Sequence, residues 1–142
     1  MLSEPHAGWA TIQINDWHGP VSYIDDVPNI LLGTLASALL TGRPAAINID
    51  AENVSYILVF DVFQSYAIEE TTEDGQPKLT VLDVDLTSLA KELLQDITAN
   101  IDQWVEFVPY DLTEEERQER RIELLESCGT LNDMCSRLPP IK

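Results

Sequence analysis

Carboxylates dominate the reactive side chains of this sequence. Acids stand side by side or one residue apart at Asp25-Asp26, Asp50/Glu52, Glu69-Glu70, Glu73-Asp74 and Asp83/Asp85. Two carboxyl groups held roughly 5–10 Å apart across a cleft can hydrolyse a glycosidic bond. A chain of 142 residues leaves little room for a sugar cleft, and abundance alone places no pair in one. Asp61, Asp83 and Asp85 could offer hard oxygens to a divalent cation if their strands were neighbours. Nothing matches a calcium-loop pattern, however, and Asp85 has a simpler role as a helix cap. No metal site is expected.

General bases are scarce. Of the two histidines, His6 lies near the amino terminus and His18 falls in Asp16-Trp17-His18-Gly19-Pro20, which reads as a turn. An Asp16/His18 acid–base pair is conceivable there, but a solvated turn histidine explains the residue with fewer demands. There is no G-x-S-x-G elbow and no G-x-G phosphate loop, so neither a nucleophile nor a nucleotide is placed. The expectation is a protein without catalytic residues or cofactor.

Charge carries more information. Twenty-five acids against eight bases give a formal net charge of −17 and an isoelectric point near 4.1. A body so acidic repels nucleic acid and anionic membrane, and attracts basic protein surfaces. Solubility is the plain alternative for the same charge. The excess is uneven: residues 1–110 hold 17 acids and three bases (Arg43, Lys78, Lys91), whereas residues 111–142 hold eight and five. Aromatic side chains dominate interface hot spots, which singles out Trp17, Tyr23, Tyr66 and Tyr110, each with a core position as its competing explanation. Combining anchor and charge, the candidate partner-binding set is Asp16, Trp17, Tyr23, Asp25, Asp26, Glu69, Glu70, Glu73 and Asp74.

The elements that must position these residues follow from periodicity. Ala10–Asn15 alternates as a half-buried strand, and Trp17 to Pro20 make a turn. Asp25 and Asp26 precede an apolar stretch running to Leu40, with Pro28 at its start and Gly42 beyond its end: a capped helix with Leu31, Leu35, Ala38 and Leu39 inward. Ala45–Asp50 and Val54–Phe63 read as strands. The second is apolar on both faces and is expected to be covered twice. Ser65–Glu70 and Lys78–Val84 follow, with Asp74-Gly75 marking a hairpin in the loop 71–77.

Asp85 then caps a helix whose Leu86, Leu89, Ala90, Leu93, Ile97, Ile101 and Trp104 share one face. Thr113 and Glu116 spell a capping box, Glu116 and Arg120 can pair, and Gly129 is placed at that helix's end. Leu131, Met134, Cys135 and Leu138 suggest one more short helix before Pro139-Pro140. Cys128 and Cys135 read as buried thiols, with a disulfide or a metal site as alternatives. No run approaches the roughly 20 apolar residues of a membrane span, and the first residues lack a signal-peptide pattern, so a cytoplasmic protein is expected. Hairpin-joined strands followed by helices predict an α+β fold. It should form one domain over residues 1–142, an antiparallel sheet of about five strands with helices packed on it, residues 113–138 being a helical segment.

With these elements in place, the small acidic chain, and Trp17 followed by Ser22-Tyr23-Ile24-Asp25-Asp26-Val27-Pro28 leading into a helix, resembles the bacterial immunity proteins of contact-dependent and polymorphic toxin systems. The resemblance implies a cytoplasmic inhibitor that binds a basic toxin or nuclease domain and blocks its active site. Immunity families differ in fold, so no residue role is transferred from them. Two other functions stay open at this level: a structural or adaptor subunit, including a homodimer, and a small carboxylate-dependent enzyme.

Overall fold

The computed structural model describes residues 1–70 and 75–137, so Glu73, Asp74, Leu138 and Pro139-Pro140 lie outside the described residues. Along the chain run β1 (Trp9–Ile14), β2 (Trp17–Ser22), α1 (Val27–Thr41), β3 (Ala45–Asp50), β4 (Ser55–Phe60), β5 (Ser65–Glu69), β6 (Lys78–Leu82), α2 (Leu86–Ala99), α3 (Ile101–Val105) and α4 (Glu114–Arg137). The fold is α+β and its sheets are antiparallel. Among the described residues six strands divide between two sheets, a β1–β2 hairpin and a meander in the order β3-β4-β5-β6.

The strand additional to expectation is β2. Gly19 and Pro20 suggested a turn, yet both lie within the β1–β2 ladder, opposite Ile12 and Thr11. The turn is Asn15-Asp16 instead, with Asn15 at φ 54° as a two-residue hairpin requires of its first position. Pro20 is tolerated because β2 has a strand partner on one side only. Gly19 is needed for contact: a Cβ there would stand 2.8 Å from the Trp17 ring and 2.9 Å from that of Tyr56. The hairpin thereby rests on the inner face of the four-stranded sheet.

That inner face is the core. Ile47 and Ile49 of β3, Tyr56, Leu58 and Phe60 of β4, Ala67 of β5 and Leu82 of β6 are all buried on it. Helix α1 packs against β3 and β4 and also against α4, so it lies between the sheet and the last helix. It buries Leu31, Leu32, Leu35, Ala38 and Leu39 and ends at Gly42, whose φ of 67° lets its N–H reach the Ala38 carbonyl. At its start the expected carboxylate cap is absent. Asp26 makes no side-chain bond to the helix amides; it accepts from Asn29 Nδ2 at 2.9 Å and pairs with Arg120.

In α2, Asp85 accepts from the Ser88 amide at 3.0 Å, as a cap should. The single stripe anticipated from Leu86 to Trp104 is interrupted at Asn100, a residue whose side chain competes for backbone groups. Trp104 still reaches the core from α3 and is fully buried. The Thr113/Glu116 capping box forms in both directions, at 3.2 and 3.1 Å. These bonds hold the Glu116 carboxyl below its ordinary range, the Thr113 amide being the main cause.

Gly129 does not end α4, which continues to Arg137 as one helix. Leu124, Cys128, Leu131 and Cys135 fall at spacings of four, three and four, so the buried stripe crosses the glycine without a break. Its burial outweighs the local preference of one residue. Nor does Arg120 pair with Glu116: it turns inward, donating to the Val105 carbonyl at 2.9 Å and the Trp104 carbonyl at 3.3 Å. At the other end of the chain, the Met1 ammonium donates to Glu92 at 2.6 Å and to Asp96 at 2.9 Å, tying β1's approach to α2. No helix among the described residues is long and apolar enough to cross a membrane.

Candidate functional site

Among the described residues, no second layer covers the other face of β4. Ile57 and Val59 were expected to lie under another layer, but both remain partly exposed. The reason is topological: α1 and the hairpin both fall on the Tyr56 side, and α2 to α4 gather behind α1.

Register shows what this outer face presents. Side chains alternate across each strand, so one row reads Asn48, Ile57, Ile68, Leu79, and the next Ala46, Val59, Tyr66, Val81. Six apolar or aromatic side chains thus form a patch across β4, β5 and β6, bounded on the β3 side by polar or small residues. Exposure grows toward β6, where Leu79 is 59% and Val81 48% exposed. Phe63 projects from the β4–β5 turn with 90% exposure. A large ring held this far in water contributes nothing to the fold.

Carboxylates flank the two rows, at both ends of the strands. Asp50 and the Ser55-bonded Glu70 mark one end, and Asp61 and Asp83 follow the last residues of β4 and β6 at the other. None of the four forms an ion pair among the described residues, whereas Arg117, Arg120, Arg121 and Arg137 of α4 each engage an acid. An apolar centre with a charged margin is the anatomy of a protein–protein interface. Here the margin's side chains on the outer face are carboxylates, Lys78 falling in the inner row.

The residues expected to bind a partner are dispersed. Asp16 is exposed at the β1–β2 turn. Trp17 is 8% exposed and meets Tyr56 edge-on with ring centroids 5.2 Å apart, so it belongs to the core and is no surface anchor. Tyr23 shields Gly8 and lies 6.3 Å from the Phe107 ring, at the mouth of an open cavity of about 420 Å³. The acids of that cavity, Asp102 and Glu106, are already occupied by Arg121 and Arg117. Asp25 is half-buried near Tyr56, whose hydroxyl pKa is pushed up by burial and then by the Asp25 charge. Asp26 holds Arg120.

Glu69 and Glu70, adjacent in sequence, face opposite sides of the sheet. Glu69 shares the inner row with Tyr56 and Lys78, and only Glu70 borders the outer face. Tyr66 is the one expected anchor that the structure sets on that face, half-buried, its hydroxyl donating to Gln64 Oε1 at 3.0 Å. Phe63, Leu79 and Val81 escaped the sequence reading. The available signal was Leu79-Thr80-Val81 alternating beside a β4 already apolar on both faces.

No group of three or more His, Cys, Asp or Glu side chains is arranged to hold a metal ion among the described residues. No family model, curated protein or solved structure matches the chain.

Proposed function

We propose that this chain is a protein-binding inhibitor that covers a basic surface of a partner, in the manner of the immunity proteins it resembles, and that it acts in the cytoplasm. The observation that supports this reading best is the outer face of the four-stranded sheet, an apolar patch bordered at both strand ends by carboxylates that form no ion pair among the described residues. The apolar centre supplies area that water leaves on association. The carboxylates supply direction, since an enzyme that grips phosphates lines its site with Lys and Arg. A toxin nuclease domain is the partner that this chemistry fits.

Association is the measurement that tests it. With the basic protein recovered from the native cell and purified, the association rate is expected to fall about 10–10³-fold from low to high salt, as electrostatic steering does. Tyr66→Lys with Val59→Lys should shorten residence while circular dichroism stays that of the native fold. A rate indifferent to salt, or a complex unaffected by the double substitution, overturns the proposal.

A further inference from the structure

The outer face ends at a strand with one side open. β6 pairs with β5 and, among the described residues, has no strand on its other side. Edges of this kind are usually guarded by charge, proline or a bulge, because their free N–H and C=O groups invite another strand. On β6 the guards stop early: Pro77 precedes the strand and Lys78 opens it, after which Leu79-Thr80-Val81-Leu82 carries neither charge nor proline. The opposite edge differs. β3 turns Ala46, Asn48 and Asp50 outward and is in contact with β2.

Leu79 and Val81 are exposed, whereas their apolar and aromatic row neighbours Ile57, Ile68, Val59 and Tyr66 are only partly so. The apolar part of each row therefore runs Ile57, Ile68, Leu79 or Val59, Tyr66, Val81 and stops with its most open side chain at the sheet's edge strand. One further strand would continue both rows and cover both side chains. Resting on the proposed function, we infer that β6 receives an extended segment of the basic partner, which adds to the sheet as a fifth strand.

The surroundings define that segment. Residues that fall beside Leu79 and Val81 are apolar, and those that fall beside Thr80, on the other face, are small or polar. A Lys or Arg flanking the segment meets Asp83, which has no cation of its own among the described residues. The occupant is a different protein rather than a second copy, because joining two chains of charge −17 edge to edge brings like fields together.

The probe is a synthetic peptide in which Val and Ile alternate with Lys and Thr, compared with a scrambled peptide of identical composition. Amide hydrogen exchange and nitrogen–proton spectra follow the whole chain. The alternating peptide is expected to slow exchange of the β6 amides by about tenfold or more at saturation, the scrambled one not at all. Leu79→Asp and Val81→Asp, at exposed positions, should abolish that protection and leave the fold intact.

Binding of the alternating peptide with β6 unprotected, or equal protection by both peptides, overturns the strand addition and leaves the proposed function standing. If neither peptide binds at low salt, both are overturned. A dimer of the chain alone, dissolved by the same two substitutions, would put a second copy on the edge and also overturn the inference.

Discussion

Tyr56 donates its hydroxyl to the backbone carbonyl of Pro20 across 2.6 Å, joining the centre of the four-stranded sheet to the middle of the β1–β2 hairpin. The contact is possible because Gly19, beside Pro20, has no side chain to hold the two sheets apart. Gly19→Ala is therefore expected to lower stability by about 1–3 kcal/mol, the usual cost of forcing a methyl into a filled core. Tyr56→Phe should cost about 1 kcal/mol by orphaning one carbonyl. Urea midpoints with an unchanged slope would check both. A neutral Gly19→Ala would mean that the two sheets separate more easily than their contact implies.

Arg120 binds three groups at once, the Asp26 carboxylate before α1 and two carbonyls of α3. Its side chain is 15% exposed. Arg120→Ala should destabilise by about 2–3 kcal/mol because it leaves buried acceptors without a donor. Arg137→Ala removes a pair exposed on both sides and should change stability by no more than about 0.5 kcal/mol. Thermal unfolding of the two variants side by side tests the contrast.

The Met1 ammonium predicts a pH dependence. Burial opposes its charge, but hydrogen bonds to Asp96 and Glu92 prevail and raise its pKa above the ordinary 8.0. A raised cation contributes fully at pH values below the ordinary one and loses its contribution as pH climbs through the raised one. Stability should thus decline above pH 8, and Asp96→Asn should flatten the decline. Equal slopes for the two proteins would exclude this group as the cause.

Both thiols sit inward on α4, where burial raises their pKa values. Seven residues along a helix span about 10.5 Å, beyond the reach of about 7 Å between Cα atoms that a disulfide permits. A thiol reagent should therefore label Cys128 and Cys135 slowly in the folded protein and fast in denaturant, with no bridge appearing under mild oxidation. Rapid labelling of the native state would show α4 to be loosely docked.

Period and caps made much of this fold legible beforehand. The Asp85 cap, the Thr113/Glu116 box, α1 with its Gly42 end and the β3–β6 strands all follow from local chemistry, which the tertiary structure leaves undisturbed. Local chemistry misled where a distant contact decided. Gly19-Pro20 has the composition of a turn, and only the ring of Tyr56, 36 residues on, makes it a strand. Gly129 looked like a helix end until the stripe on either side was held against the core.

The candidate face was half visible in the same way. A β4 apolar on both sides announced two buried faces, but whether a second layer exists depends on which way the later helices turn, and no strand pattern records that. The acids were plain from the start. Which of them are neutralised by α4's arginines, and which border the open sheet, is a property of the assembled chain.

An unguarded edge beneath so acidic a body has a consequence for the protein's own solubility. At neutral pH mutual repulsion keeps neighbouring molecules from stacking β6 against β6. Acidification toward pH 4.1 titrates that repulsion away. Turbidity should rise there, and Val81→Lys should suppress it, because the edge would then carry a deterrent of its own that does not fade with the carboxylates.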